Sequence, residues 1–313
     1  MNAEEIADRI AAIREDKQRG ASQLAQEAVR LLREMAMDPT TPDDRFSDLF
    51  LDASQRLARA RPSMASLLNA VGSVMAAWEE AGAACNVARS RPAVALAAKR
   101  WAESQKAFAD FLADHAAEVV SGCVITISYS STVLRALETC WRRDVLKRVI
   151  VGESRPLYEG RRTAELLAGL GVPTTLITDA EIGFFASEAN AAVVGADTIR
   201  PNGDLINKAG TLLLALATRY NGLPFYTVAE THKIAPAGRR RAPLSLEEKE
   251  PEEVLPEPIP RVTVRNVYFD LTPARLLTGY ITEQGLLNQK DVAARAREAP
   301  GLIVKGAVTT PGS

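Results

Sequence analysis

Cysteine and histidine are scarce in this chain of 313 residues. Its three cysteines are Cys85, Cys123 and Cys140, and its two histidines are His115 and His232. An odd, sparse set of cysteines without a CxxC pair argues against a disulfide framework and against a structural zinc site. A histidine-rich metal centre or a Ser-His-Asp triad would have to use one of the two histidines. We therefore expect no metal and no cofactor.

Net charge and long apolar runs are also lacking. Lys and Arg number 38 and Asp and Glu 39, which gives a formal net charge of -1. Such a balance provides no overall basic field to hold nucleic acid or an anionic membrane, so we expect no direct nucleic-acid binding. No run of about 18 uncharged apolar residues occurs, and the polar, acidic start has no apolar segment typical of secretion signals. The expectation is a cytoplasmic protein with no membrane helix.

The first 120 residues have the pattern of packed helices. Ile6, Ile10 and Ile13 recur at helical spacing, and residues 65–120 are rich in alanine and poor in β-branched residues. Gly20 interrupts the pattern, and Ser22 is the predicted N-cap of the second helix. We expect a helical N-terminal domain over residues 1–120.

From about residue 122 the pattern changes to strands that alternate with helices. Apolar runs at 124–127, 148–151, 174–177, 192–194 and 224–228 predict strands, and the stretches 132–141, 160–170 and 210–220 between them predict helices. This alternation predicts an α/β fold, in which a Rossmann-like parallel-sheet domain over 121–313 follows the helical domain. The proline-rich segment 233–261 predicts a surface excursion. Asp270 and Pro273 read as the N-cap and first residue of a helix from 274 to about 281.

Candidate functional residues follow the predicted strands, because ligands of open parallel sheets bind outside the carboxyl ends of the strands. Ser128, Ser130 and Ser131 follow the first strand and precede a helix, whose N-terminus suits a phosphate; alternatively, these serines only cap the helix. Arg155 follows the second strand and can fork onto a phosphate, or it can form a surface pair with a glutamate. Asp197, after the fourth strand, can point into a cleft or stabilise a turn.

Two further groups have the same kind of position. Asn207 and Lys208 are predicted at the start of a helix, either as an anion site or as ordinary solvated residues. Glu230, His232 and Lys233 follow the fifth strand, without an evident partner for the histidine. The shared location of all these residues at strand ends predicts a phosphorylated ligand.

The motifs themselves resemble a known family. They read ITISYSS at 125–131, ESRP at 153–156, ITD at 177–179, VGAD at 194–197, NKAGT at 207–211, RGA at 19–21, RPS at 61–63, LEEKEPEE at 246–253 and FDLTP at 269–273. In this order and spacing they resemble the alpha, beta and delta subunits of initiation factor 2B, a superfamily that includes methylthioribose-1-phosphate isomerase and ribose-1,5-bisphosphate isomerase. The resemblance implies a helical domain on a Rossmann-like domain, which is also the site of dimerisation, so we expect a homodimer or a higher homo-oligomer.

The resemblance also implies roles for particular residues. In the isomerases a cysteine after the first strand and the aspartate of the GAD motif form the catalytic pair. Asp197 keeps the aspartate, but Ser128 stands at the cysteine position and Ile127 at that of a preceding histidine. Glu159 stands where the isomerases usually have glutamine, and we expect it to pair with Arg161 or Arg162. The implied ligand-binding set is Arg19, Gly20, Ala21, Arg61, Ser130, Ser131, Arg155, Asn207 and Lys208.

Three functional hypotheses follow. In the first, the protein is similar to initiation factor 2B and binds a phosphorylated sugar or nucleotide in a cleft between the two domains, without cysteine-dependent turnover. In the second, it is an aldose-1-phosphate to ketose-1-phosphate isomerase that uses Asp197, with Ser128 in place of cysteine. A serine hydroxyl needs an adjacent base to become reactive, which favours the first. In the third, the protein is an assembly subunit with a vestigial pocket.

Overall fold

The computed structural model describes residues 1–17, 19–239 and 248–300. These residues form two compact units. The first comprises Met1–Pro62 and Ser66–Ala102, and the second comprises Ser63–Ala65 and Glu103–Glu298. Within the described residues, no helix has the length and apolar character required to cross a membrane.

The regular elements before residue 120 are helical, as predicted. The α-helices of the described residues are α1 (Ala3–Glu15), α2 (Ala21–Met37), α3 (Asp43–Ala60), α4 (Ala65–Glu80), α5 (Val87–Val119), α6 (Ser131–Arg142), α7 (Glu159–Gly169), α8 (Ile182–Phe185), α9 (Thr211–Tyr220) and α10 (Gln289–Glu298). Ile6, Ile10 and Ile13 are buried along one face of α1, which confirms the helical spacing.

Strands begin where the composition changes. They are β1 (Gly122–Ile127), β2 (Leu146–Gly152), β3 (Thr174–Ile177), β4 (Ala191–Val194), β5 (Thr198–Ile199), β6 (Leu205–Lys208), β7 (Phe225–Val228), β8 (Phe269–Thr272), β9 (Gly279–Thr282) and β10 (Gly285–Leu287). The five predicted strands correspond to β1, β2, β3, β4 and β7.

Seven strands form one sheet in the order β10-β9-β7-β4-β1-β2-β3. All of its neighbouring pairs are parallel except β9 and β10. Side chains alternate between its faces: Ile125 and Ile127 of β1 join one buried cluster with Leu214 of α9, whereas Val124 joins another with Leu137 of α6. Helices therefore cover both faces, and the prediction of a mixed α/β fold with a helical N-terminal region and a mostly parallel sheet is confirmed. A second, antiparallel sheet has the order β5-β6-β8.

Two local predictions are wrong. The N-cap of α2 is Gly20, not Ser22, because the Gln23 side chain accepts a hydrogen bond from the Gly20 N–H at 3.2 Å and Ser22 already lies inside the helix. Residues 274–281 do not form an α-helix. Asp270 lies in β8, and only a single helical turn at Ala274–Leu276 precedes β9. Residues 240–247 of the predicted surface excursion at 233–261 lie outside the described residues.

Candidate functional site

The order of the strands defines where the candidate site lies in the second unit. From β1 the chain proceeds to β2 and β3 on one side and then returns to β4 on the other side of β1. β1 is thus parallel to both β2 and β4. Such a reversal opens a crevice at the carboxyl ends of the flanking strands, where ligands of α/β sheets bind. The residues after β1 and β4, which include Ser128 and Asp197, belong to this edge.

Ser128 is held by its backbone rather than by its side chain. It adopts a left-handed conformation with φ of 61°. Its N–H donates to Ser154 Oγ at 2.6 Å, and its carbonyl accepts a hydrogen bond from Thr163 Oγ1 at 2.6 Å. Among the described residues, no hydrogen bond of the Ser128 hydroxyl occurs, so no base is in place to activate it.

Ser130 caps α6, as the simpler interpretation predicted. Its Oγ accepts a hydrogen bond from the Val133 N–H at 3.3 Å, and Ser131 is the first residue of the helix. Ser130 also lies against Gly195, after β4: a Cβ on Gly195 would lie 2.9 Å from Ser130 Oγ and 3.9 Å from Asn207 Oδ1. The absence of a side chain at Gly195 therefore lets Ser130 and Asn207 approach the same point of the sheet edge.

Asp179, after β3, orders the residues that follow β2. Its carboxylate accepts hydrogen bonds from the backbone N–H groups of Ser154 at 2.8 Å and Arg155 at 2.7 Å. The Arg155 guanidinium donates to the Tyr158 hydroxyl and, at 3.0 Å, to the Val254 carbonyl. Within the described ranges it has no carboxylate partner, and the predicted alternative of a surface ion pair does not occur there.

Asp197 is half-buried after β4. Its N–H donates to the Ile206 carbonyl at 3.0 Å, which joins it to β6. β6 also carries two other predicted site residues, because Asn207 and Lys208 are its last two residues. Both are buried within this strand, and they do not start a helix as predicted.

The N-terminus of the following helix, α9, is already capped. Asp270 Oδ2 accepts hydrogen bonds from the N–H groups of Gly210 at 2.8 Å and Leu212 at 3.0 Å. Burial raises the pKa of Asp270 to about 6, although these hydrogen bonds act in the opposite direction. A carboxylate of the chain itself thus takes up two amides of the predicted anion site, and the role of Asn207 and Lys208 in ligand binding stays a prediction.

The Lys208 side chain is 8% exposed and forms an ion pair with Glu159. Its Nζ lies 2.6 Å from Glu159 Oε1 and 4.2 Å from the centre of the Tyr268 ring. The prediction that Glu159 pairs with Arg161 or Arg162 is wrong. Arg161 instead pairs with Glu153 at 2.8 Å.

Arg162 has a different type of partner. Its guanidinium carbon lies 4.0 Å from the centre of the Tyr129 ring, close enough for a cation–π interaction. Among the residues that the structure describes, it pairs with no carboxylate. Arg155 and Arg162 thus present guanidinium groups near the ends of β2 and β1 whose charge is not neutralised by an ion pair there.

Gly160 fixes the position of the α7 N-terminus. A Cβ at this residue would lie 1.9 Å from the Gly152 carbonyl oxygen at the end of β2. No side chain fits in this space. The close approach brings the start of α7, and with it Glu159, against the end of the strand.

The residues predicted in the first unit form a group of their own. The Arg19 guanidinium pairs with the Asp16 carboxylate at 2.8 Å, and Arg61 donates to the Asp16 carbonyl at 2.7 Å. Gly20 is the N-cap of α2, and Ala21 is the first residue of this helix. The structure thus brings Arg19 and Arg61 together at the turn before α2, and the role of these four residues in ligand binding stays a prediction.

The thiols of the second unit are poorly suited to catalysis. Cys123 and Cys140 are both buried. Burial raises the pKa of Cys123, and it raises the pKa of Cys140 to about 11. Because the thiolate is the reactive form, neither residue replaces a catalytic cysteine.

The side-chain partners of Glu230 were not predicted from the sequence. Glu230 Oε1 accepts a hydrogen bond from Thr132 Oγ1 at 3.0 Å, and its Oε2 lies 3.3 Å from Lys233 Nζ. All three residues are buried. Burial acts to raise the pKa of Glu230, but Lys233, His232 and the hydrogen bonds to the carboxylate together outweigh this and hold the pKa below its usual range. Only the position of Lys233, three residues after Glu230, was visible in the sequence.

Across 1–17, 19–239 and 248–300, no three His, Cys, Asp or Glu side chains come together in a way that would hold a metal ion.

Comparison with known proteins agrees with this architecture. Residues 17–289 match the model of the initiation factor 2 subunit family. The chain belongs to the initiation factor 2 subunit family. A family relative from Pyrococcus horikoshii, named as a translation initiation factor eIF-2B subunit 2-like protein, is 33% identical over 289 residues, 92% of this chain and 98% of the relative.

Two further comparisons show what this family contains. The ribose 1,5-bisphosphate isomerase of Archaeoglobus fulgidus is 33% identical over 290 residues, which cover 91% of this chain and 90% of that enzyme. The crystal structure of the translation initiation factor eIF-2B from Pyrococcus horikoshii OT3 superposes with a TM-score of 0.80 at 31% identity, covering 92% of this chain and 99% of that one. The family therefore includes proteins named as initiation factors and proteins named as sugar-phosphate isomerases, as the resemblance of the motifs implied.

Proposed function

We propose that the protein binds a phosphorylated sugar or nucleotide at the carboxyl edge of its parallel sheet, without cysteine-dependent turnover. The observation that carries this proposal is the state of Ser128. Its hydroxyl has no hydrogen-bonded base among the described residues. The two cysteines of the second unit, Cys123 and Cys140, are buried. An alcohol without a base is a weak nucleophile at neutral pH.

The phosphate would bind to the guanidinium groups near the ends of β1 and β2. Arg155 and Arg162 have aromatic or carbonyl partners, with no carboxylate among the described residues to compete with an incoming anion. Guanidinium groups bind phosphate through charge-assisted hydrogen bonds. Asn207 and Lys208 of β6, with Ser130 beside Gly195, would supply polar contacts to the rest of the ligand.

Calorimetric titration tests this proposal. Ribose 1-phosphate, ribose 1,5-bisphosphate and AMP are titrated into the wild type, Arg155→Gln and a control, Arg142→Gln, which removes an exposed guanidinium on α6. We expect saturable binding of at least one ligand, at least tenfold weaker in Arg155→Gln and unchanged in the control. Absence of binding of all three ligands by the wild type would exclude the proposal.

The second candidate function is aldose-ketose isomerisation. It is favoured by Asp197, which follows β4 with a half-buried side chain, and by the identity to the isomerase of Archaeoglobus fulgidus. An assay that follows ketose formation from ribose 1-phosphate and ribose 1,5-bisphosphate separates the two functions. Turnover by the wild type that Asp197→Asn abolishes would replace the binding proposal by the isomerase.

We further propose that the chain forms a homodimer through α9. Leu213, Leu216 and Tyr220 occupy one stripe of this helix and are 45%, 51% and 91% exposed. Phe184, on the neighbouring α8, is 73% exposed. Contiguous apolar side chains on a surface are typical of protein interfaces, and a second copy of the chain would cover them.

A further inference from the structure

The charge of Lys208 is neutralised within the protein itself. Its Nζ lies 2.6 Å from Glu159 Oε1, and its other close neighbour is the face of the Tyr268 ring, 4.2 Å away. The lysine side chain is only 8% exposed, so solvent screens this ion pair weakly. A phosphate that approached Lys208 would therefore meet a carboxylate in direct contact with it.

The surroundings of the pair contain a further carboxylate and a further ammonium group. The Tyr268 hydroxyl donates a hydrogen bond to Glu253, and burial together with this contact raises the pKa of Tyr268, so the phenol keeps its proton. Lys249 lies 5.8 Å from the same ring. Glu159 and Glu253 thus balance Lys208 and Lys249, and the cluster has no excess positive charge for an anion.

One atom of the cluster lacks a partner. Glu159 Oε2 is buried and accepts no hydrogen bond from any described residue. A buried carboxylate oxygen without a donor is costly, and a ligand hydroxyl would supply the missing donor. A second phosphate, which is anionic at neutral pH, would instead be repelled.

We propose that Glu159 is a specificity-determining residue that selects ligands with one phosphate and free hydroxyl groups over bisphosphates, an inference that rests on the proposed function. The single phosphate binds to Arg155 and Arg162. The Lys208–Glu159 pair binds hydroxyl groups of the sugar, with Lys208 as donor and Glu159 Oε2 as acceptor.

The ratio of two affinities tests the inference. Calorimetry with ribose 1-phosphate and ribose 1,5-bisphosphate is carried out on the wild type, Glu159→Gln and a control, Glu165→Gln, which removes a carboxylate from the exposed side of the same helix. We expect Glu159→Gln to shift the ratio about tenfold toward the bisphosphate, because it removes one unit of repulsive charge at close range. The control should leave the ratio unchanged.

The outcomes separate the two proposals. If Glu159→Gln changes both affinities by the same factor, or leaves both unchanged, the specificity inference is wrong while ligand binding stands. If neither ligand binds to the wild type or to Glu159→Gln, the specificity inference is wrong, and the proposed function is wrong as well when AMP also fails to bind to the wild type. Should Glu159→Gln fold poorly, as judged by circular dichroism, Glu159→Ala removes the same charge and is subject to the same criteria.

Discussion

Asp270 Oδ2 lies 2.8 Å from the backbone nitrogen of Gly210 and caps α9 from a strand of the second sheet. Its bonds to Gly210 and Leu212 satisfy two of the amide groups that a helix N-terminus leaves without intrahelical partners. The cap comes from a residue distant in sequence, so it joins β8 to α9 as well as stabilising the helix.

The first prediction concerns this cap. Asp270→Ala removes the acceptor and should lower the free energy of unfolding by about 1–2 kcal/mol, the range typical of a lost N-cap. Urea denaturation followed by circular dichroism measures the change. Asp48→Ala, at an exposed position of α3, is the control and should alter stability little. Equal stability of Asp270→Ala and the wild type would show that the amides find other partners.

The second prediction is a pH dependence of stability that arises from His232. Burial lowers the pKa of His232 to about 4, despite the neighbouring Glu230 carboxylate. The unfolded chain, with a histidine pKa near 6.5, therefore binds more protons than the folded protein between these values. Since stability falls with acidification wherever the unfolded state binds more protons, the stabilising effect is complete above about pH 6.5 and is lost as the pH falls toward 4.

Comparison with His232→Gln isolates this effect. Asp270 acts in the opposite direction in part of the same range, because its raised pKa makes the folded state bind the proton first, but it is common to both proteins. The wild type should lose stability relative to His232→Gln between pH 7 and pH 4 in urea denaturation. A difference that does not vary with pH would contradict the prediction.

The third prediction concerns thiol reactivity. Cys85 is exposed, whereas Cys123 and Cys140 are buried with raised pKa values. A disulfide reagent at pH 8 should label one thiol of the folded wild type rapidly and none of Cys85→Ser. Ser128→Cys should add one rapidly labelled thiol, because this position at the end of β1 is only half-buried and is therefore partly accessible to the reagent. Slow labelling of Ser128→Cys, at the rate of the buried cysteines, would show that the site is closed to small reagents.

The fourth prediction tests the proposed dimer. Leu216→Lys places a charge in the apolar stripe of α9 and should shift the protein from dimer to monomer in size-exclusion chromatography with light scattering. Met37→Lys, which changes a residue 59% exposed in the first unit, should leave the mass unchanged. A wild type that elutes as a monomer, or a Leu216→Lys variant that remains a dimer, would exclude α9 as the interface.

The sequence predicted the elements whose signals are local. Apolar runs such as 124–127 became strands because both of their faces are buried, and Ser130 caps α6 because its hydroxyl is close to the amide of Val133. Asp270 shows the limit of this reasoning. The prediction that Asp270 caps a helix starting after Pro273 is wrong, because Asp270 lies in β8 and its carboxylate caps α9, a helix that ends 50 residues before it in the sequence.

Contacts between distant segments account for the other errors. Glu159 was assigned a partner among its sequence neighbours, yet it pairs with Lys208 because β6 carries that lysine to the start of α7. The link from Ser154 Oγ to the Ser128 N–H joins the ends of β2 and β1, and it exists only once these strands are paired. No periodicity in the sequence reports such contacts.

The fit of Gly160 against the Gly152 carbonyl has a consequence for protein engineering. Because even a methyl group would overlap that oxygen, the main chain at this corner tolerates no substitution without moving the helix. Redesign of ligand preference is therefore best confined to the neighbouring side chains, Glu159 and Arg162, which can be exchanged while the backbone scaffold beneath them keeps its shape.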